Sequence, residues 1–390
     1  MHDSEINKII DFIKGKIKDD STYDKILGSM CTPPSEIIRS IAHSFAEINL
    51  GDPGLFSGTV NLEKDLLNEI SKIFHAPKDF TGSITSGGSE GNILGCWAAR
   101  NWAKKNKRVS KGTIILPKSS HVSFEKARDL LDVNFDYIDI DHHNRINIEE
   151  TKKKINSNTI GLVGIAGTTG TGACDDIKAL SDLAIEHNLF LHVDAAFGGF
   201  IFPFLNKSRE KIPNFDFSLP GVSSLSVDAH KILGGLIPSG MILFRSNKFS
   251  DSITREIGYL SGGKTNQITI TGTRPGSSVL AAWYVIKEVG FSVLEKTVQD
   301  SLKTTQYLLN ELNSIDDIIL PFKPAINIVG FQVKEVSIIE IINNLRKLGW
   351  HLSLYSNYAR IVVMPHVTDE VVKNFIESLK LVIQEIKKNN

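Results

Sequence analysis

The chain is poor in cysteine, carries no net charge and has no long apolar run. Its three cysteines, Cys31, Cys96 and Cys174, are too sparse for a disulfide framework or a zinc site. Few thiols suit a reducing compartment, so a cytoplasmic location is expected. There are 44 basic and 44 acidic residues, giving a formal net charge of zero. With basic runs as short as 104–108 and 152–154, that balance argues against nucleic acid as a partner. No stretch of about 18 apolar residues is available to span a bilayer. Residues 1–20 mix charges with apolar residues at helical spacing and lack the apolar core of a signal peptide. No membrane partner is expected, and no internal repeat or low-complexity linker interrupts the chain.

What is there reads as a packed globular protein. Hydrophobic residues make up 41 % and charged residues 23 % of 390 positions, enough for two domains. Residues 1–50 read as an N-terminal helical segment. Over 51–285, short strands rich in Ile, Val and Leu are predicted at 113–117, 133–140, 160–166, 189–194, 223–228 and 241–245. They alternate with helical stretches at 89–107 and 176–188. This pattern predicts an α/β fold with a mainly parallel sheet covered on both faces. Ligands of such sheets bind beyond the carboxyl ends of the strands. A long helical pattern at 277–313 follows. Strands at 326–333, 351–355 and 360–364, with helices at 338–348 and 368–388, make 286–390 a smaller C-terminal α+β domain.

The unusual residues stand at the strand ends. Lys231 closes Ser226-Val227-Asp228-Ala229-His230-Lys231 and is followed by Gly234-Gly235. A desolvated lysine loses its proton readily and can form an imine with an aldehyde. Asp194, in His192-Val193-Asp194-Ala195-Ala196, ends an apolar strand, where a carboxylate is costly unless paired. A cationic ring nitrogen would pair it, although a structural aspartate capping the next turn is the alternative. Thr85-Ser86-Gly87-Gly88-Ser89-Glu90-Gly91-Asn92 opens a helix, where glycines and backbone N–H groups can wrap an anion. It is neither a Walker motif nor a dinucleotide fingerprint. His121 follows the strand at 113–117 and could stack on a bound ring. Thr169, in Gly167-Thr168-Thr169-Gly170, could bond to a ring substituent. Together these signals specify a phosphate, a ring, a ring nitrogen and an aldehyde, which is the inventory of pyridoxal 5'-phosphate (PLP).

The motifs TSGGSEGN, HVSFEKA, AGTTGTG, HVDAAFGGF and SVDAHK resemble the group II PLP-dependent decarboxylases, of the PLP-dependent transferase fold type I. LGDPGLFSGT, TGTRPG and RIVVMPH bring the resemblance closer to the archaeal L-tyrosine/L-aspartate decarboxylase subfamily, from about residue 26 to the C-terminus. The resemblance implies that Lys231 holds the cofactor aldehyde as an imine and that Asp194 binds the pyridinium. It implies that His121 and Ala196 lie on the two faces of the ring, and that Gly88, Ser89 and His230 hold the phosphate. Thr169 would bond near the ring hydroxyl or the aspartate, and Arg360 would hold the substrate α-carboxylate. Gly272 and Thr273 would reach a cofactor across a homodimer interface. The segment 259–267 matches a mobile loop, from which Tyr259 could protonate the product carbanion, with His121 as the other candidate donor.

The expected reaction is L-aspartate to β-alanine and CO₂, supplying coenzyme A synthesis, with tyrosine and glutamate as the other subfamily substrates. A second cation for an acidic substrate would come from Lys264, Arg274 or His351. Asp228 stands where many group II enzymes have Asn; an acid beside a phosphate is unfavourable, so it is expected to turn away. The GTRPG motif and the stretch 219–224 also resemble sphingosine-phosphate lyases, making a PLP-dependent carbon–carbon lyase the alternative. A cysteine desulfurase would need a cysteine on a mobile loop, and a protein that merely holds the cofactor would be expected to lack a core position.

Overall fold

The computed structural model describes residues 3–109, 111–205 and 213–389. Seven strands form the main sheet: β1 (Thr81–Thr85), β2 (Thr113–Pro117), β3 (Asn134–Ile138), β4 (Thr159–Ile165), β5 (Phe190–Asp194), β6 (Val222–Asp228) and β7 (Gly240–Phe244). Their spatial order is β1-β7-β6-β5-β4-β2-β3. Strands β6, β5, β4, β2 and β3 are parallel neighbours, and β7 alone runs against them, between β6 and β1. This is the mainly parallel α/β sheet that the sequence predicts. Strands β4 to β7 are buried at every position. A strand dry on both faces needs apolar residues on both, so these read as apolar runs rather than alternations.

Adjacent strand residues point to opposite faces and build two cores. On one face, Leu94, Ala98 and Trp102 of the helix Gly88–Asn106 pack with Ile114, Val163 and Ile242. On the other, Ile177 and Leu180 of the helix Ile177–Glu186 pack with Ile115, Leu162 and Leu191. The helix Gly88–Asn106 rides close to the sheet because it lacks side chains where it crosses β5 and β6. A Cβ on Gly91 would stand 2.7 Å from Ser226 Cβ, and one on Gly95 would stand 2.4 Å from His192 Nδ1.

A hairpin of β8 (Arg255–Ile257) and β9 (Thr265–Gln267) projects from this body. The strands β10 (Ile318–Ile319), β11 (Ile328–Val333), β12 (Ser353–Tyr355) and β13 (Tyr358–Val362) form an antiparallel sheet in the order β10-β11-β13-β12. It has its own core, in which Leu308, Phe331, Trp350 and Phe375 meet. The helical pattern at 277–313 is not one helix. Gly276–Tyr284 runs into a π turn at Val285–Val289, and Phe291–Asn313 leaves at 93°. Gly290, at φ 82°, supplies the left-handed backbone that this corner needs. Among the described residues, no single helix is long and apolar enough to cross a membrane.

One buried carboxylate holds the loop that leaves β4. Asp175 Oδ1 accepts from the Ile146 N–H and Oδ2 from the Ile165 N–H, both at 2.7 Å. The loop is closed on itself by the Ala166–Cys174 bridge and by Gly167 and Thr168 N–H bonds to Ala173 O. Asp175→Ala leaves two buried donors unpaired, at about 1–3 kcal/mol each. A loss on the order of 2–5 kcal/mol in urea unfolding is expected, and Asp175→Asn should also lose stability, because its amide oxygen can accept from one of the two N–H groups while its nitrogen faces the other. An unchanged midpoint for the alanine variant would show that the clamp does not hold the loop.

Candidate active site

The carboxyl ends of β1, β2, β4, β5 and β6 open on one cavity of about 280 Å³. β1 delivers Ser86, Gly87, Gly88 and Ser89, and β2 delivers Ser119 and His121. β4 contributes Gly167 and Thr169, β5 contributes Asp194, Ala196 and Phe197, and β6 contributes Asp228, His230 and Lys231. Parallel strands share one polarity, so five separated motifs arrive at the same edge.

Lys231 is 16 % exposed, and its Nζ lies 3.1 Å from Asp228 Oδ2. Asp228 therefore faces the cavity and does not turn away. It ends β6, and the turn through Ala229 and His230 brings the lysine amine back over its carboxylate. His230 Nε2 is 3.8 Å from the same oxygen, and His230 Nδ1 lies 2.5 Å from Ser239 O. Asp228 Oδ1 is buried without a hydrogen-bond partner. Space around it is kept by glycine: a Cβ on Gly240 would stand 2.5 Å from Oδ1, and one on Gly88 would meet Ala196 Cβ at 2.7 Å.

Asp194 is 6 % exposed and is held by donors on both oxygens. The Ala196 N–H donates to Oδ1 at 3.0 Å, and Asn92 Nδ2 donates to Oδ2 at 2.8 Å. Burial lowers the His121 pKa below its usual value, against an opposing pull from Asp194. The glycine turn is pinned from outside: Ser86 N–H and Oγ donate to Glu90 Oε2, and the Ile270 N–H donates to Glu90 Oε1.

Eight of the residues singled out from the sequence line this cavity: Gly88, Ser89, His121, Thr169, Asp194, Ala196, His230 and Lys231. Four do not. Arg360 lies one residue behind the wall, where Nη1 donates to Thr169 O at 2.6 Å and Nη2 to Gly28 O at 2.7 Å. Its Nε is buried and unpartnered. Tyr259 is 87 % exposed at the tip of the β8–β9 hairpin, which Asp52 tethers through the Ser261 and Gly262 N–H groups. Gly272 and Thr273 are exposed on the flank. The three candidate second cations are engaged elsewhere: Arg274 with Glu63, Lys264 with Glu256, and His351 with Ser21. Sequence reasoning missed Asn92, which stands at the end of the TSGGSEGN motif. The available signal was an amide placed one turn into a helix whose glycines mark its sheet-facing side.

The donor set fits PLP. An amine shielded from water and a doubly hydrogen-bonded carboxylate line one cavity, as an aldehyde and a protonated ring nitrogen require. The glycine turn opens a helix whose first N–H groups have no partner within the helix, a setting suited to phosphate. Three comparisons agree with this geometry. The model of the pyridoxal-dependent decarboxylase conserved domain matches residues 57–334. A Pyrococcus horikoshii protein named L-aspartate/L-glutamate decarboxylase is 43 % identical over 96 % of this chain and 97 % of its own. A Methanothermobacter thermautotrophicus protein named probable L-tyrosine/L-aspartate decarboxylase is 39 % identical over 92 % of this chain and 97 % of its own. Among solved structures, Lactobacillus brevis glutamate decarboxylase superposes with a TM-score of 0.89 at 22 % identity, covering 99 % of this chain and 93 % of its own. Burkholderia pseudomallei sphingosine-1-phosphate lyase gives the same score and identity over 98 % and 91 %. At that identity the two structures speak for the fold, PLP-dependent fold type I. The chain belongs to the pyridoxal-dependent decarboxylase family: it is a PLP enzyme and a carboxy-lyase.

Proposed function

We propose that this enzyme decarboxylates L-aspartate to β-alanine and CO₂ in the cytoplasm, supplying β-alanine for coenzyme A. The observation that carries the reading is the convergence of Lys231 and Asp194 on one glycine-cradled cavity. The substrate rests on relatives at 42–43 % identity whose names carry L-aspartate decarboxylase. L-glutamate, in the name of one of these same relatives, and L-tyrosine, in the name of another, are the next substrates to test.

When bound, PLP supplies an aldehyde that captures the substrate amine and a protonated ring that draws electrons from Cα. Lys231 would offer the amine that holds the aldehyde, and Asp228, 3.1 Å away, would pair with that amine. Asp194 would keep the proton on the ring nitrogen. His121 and Ala196 would bound the two faces of the ring. Gly88, Ser89 and His230 would hold the phosphate, and Thr169 would bond near the ring hydroxyl or the aspartate. Arg360 would bind the α-carboxylate only by turning from the Thr169 and Gly28 carbonyls that hold it behind the cavity wall. In this reading, residues 51–285 form the cofactor-binding unit and 286–390 the smaller domain.

Among the described residues, the basic side chains lining the cavity are Lys231, His121 and His230, each already given a role toward the cofactor. In this reading the enzyme is also a homodimer, in which the flank of a second copy would bring Gly272, Thr273 and the proton-donating Tyr259 to the site. The exposed apolar residues Ile9, Ile13 and Ile17 on and beside the helix Asp3–Lys16, with Ile270 next to Gly272, support such a contact. A carbon–carbon lyase is less favoured, because the likeness to sphingosine-1-phosphate lyase is one of fold and the relatives at about 40 % identity are named decarboxylases.

Three outcomes are expected. Borohydride should fix PLP to the wild-type chain at Lys231, and Lys231→Ala should lose both the adduct and turnover; a Lys231→Ala enzyme with normal turnover would remove the assignment. In a CO₂-release assay with aspartate, glutamate, tyrosine and histidine, aspartate should give the highest kcat/KM. Aldehyde release without CO₂ would favour the lyase. Light scattering should give a dimer mass, which Ile13→Glu weakens; a wild-type monomer with full activity would exclude a shared site.

A further inference from the structure

Behind Asp194 lies a set of side chains that the roles above do not use. Asn92 is 1 % exposed, and all of its side-chain hydrogen-bonding capacity is committed. Nδ2 donates to Asp194 Oδ2 at 2.8 Å and to Ser123 Oγ at 3.0 Å. Oδ1 accepts from Ser226 Oγ at 2.8 Å and from His192 Nε2 at 3.0 Å. A carboxylate can only accept, so the amide nitrogen must face Asp194 and its oxygen must face away. His192 is consistent with that orientation: burial pushes its pKa down to about 4, and its Nδ1 takes a hydrogen bond from Ser224 Oγ at 2.8 Å. The neutral ring then carries its proton on Nε2, toward Asn92.

The other arm reaches the opposite wall of the site. The Ser123 N–H lies 3.2 Å from His121 Nδ1, and Ser123 Oγ lies 3.0 Å from it. A main-chain N–H can only donate, so His121 Nδ1 is the accepting nitrogen and Nε2 carries the proton. Ser123 Oγ already accepts from Asn92, which leaves its own hydrogen for His121. Donation therefore runs in one direction, from Ser224 through His192, Asn92 and Ser123 to His121, with a branch at Asn92 to Asp194.

We propose that Asn92 is the positioning residue of this site: its single carboxamide aims Asp194 at the ring nitrogen and, by donating to Ser123 Oγ, turns that hydroxyl toward His121 Nδ1, adding to the main-chain N–H that sets the Nε2–H tautomer. The proposal rests on the role given above to Asp194. Turning the amide over would set two oxygens against each other and break both arms together, so the ring-nitrogen partner and the stacking histidine share one support. The titratable groups facing the cluster are Asp194, His192, His121 and Cys96, with Asp228 and Lys231 across the cavity.

The test compares two substitutions of nearly the same volume in the holoenzyme. Asn92→Leu removes every hydrogen bond. Asn92→Asp keeps the shape, and while protonated it can still donate to Asp194. The readouts are the dissociation constant for pyridoxal phosphate and the pH dependence of its bound absorbance. Loss of a hydrogen bond to a charged group corresponds to about 10- to 100-fold. Asn92→Leu is expected to weaken PLP by that factor at every pH and to shift the absorbance transition. Asn92→Asp should bind more tightly than Asn92→Leu at pH 6.5 and lose that advantage by pH 9, as the shared proton leaves. Wild-type affinity and spectrum in a folded Asn92→Leu, or an Asn92→Asp that is the weaker binder at both pH values, overturns the proposal. If Asn92→Leu does not fold, Ser226→Ala takes its place, since the Ser226 hydroxyl bonds Asn92 rather than Asp194: a several-fold loss of PLP affinity supports the proposal and none overturns it. Asp194→Ala is measured alongside. If it leaves the bound spectrum unchanged, the role of Asp194 falls; if it changes the spectrum while the Asn92 variants do not, only the positioning role falls.

Discussion

A carboxylate at the end of a strand that is dry on both faces is unfavourable unless donors meet both of its oxygens. Asp194 is in that position, and much of the surrounding structure follows from satisfying it. The main chain supplies one donor, from Ala196, because the strand turns immediately after the aspartate. The second donor has to come from another element. Asn92 can serve only because the helix that carries it lies almost against β5 and β6, and that closeness is set by Gly91 and Gly95. One electrostatic requirement thus dictates the composition of a helix face.

The same requirement explains what could be read from the sequence. Strands β2, β4, β5, β6 and β7 were legible within about two residues, because burial on both faces leaves an apolar run whatever the neighbours are. The residues that end them were legible as chemistry, because Lys231, Asp194 and His121 are out of place in such surroundings. Asn92 was not. The glycines around it mark the sheet-facing side of the helix, but its four partners lie on three other elements and leave no trace in the local sequence. The antiparallel sense of β7 was equally hidden, since strand direction is a property of pairing rather than of composition. The corner at Gly290 was missed because helical periodicity continues on both sides of it. Asp228 was read against an expected phosphate, whereas its nearest partner is the amine three residues further on.

The elements split into those that one chain completes and those that it leaves open. The glycine turn, Asp194 and Lys231 all line one cavity, and Asp194 and Lys231 are each bonded. Arg360 is in place but spends two of its nitrogens on main-chain carbonyls, bracing the Thr169 loop against the Gly28 segment. The groups left facing solvent, Tyr259, Gly272 and Thr273, all fall in the stretch 259–273 that follows β8 in the chain.

Strand β1 hydrogen-bonds to β7 and to no other strand of the sheet. Everything from Thr85 to Gly240 lies between them in the chain, yet the glycine turn after β1 is one wall of the cavity. On a ribosome, that wall has no edge to dock on until β7 has emerged. Contacts this distant in sequence form late and slowly. A nascent chain stalled before β7 would hold the turn facing Lys231 and Asp194 only through the helix packed on β5 and β6, so that wall gains its strand pairing only when the main sheet closes.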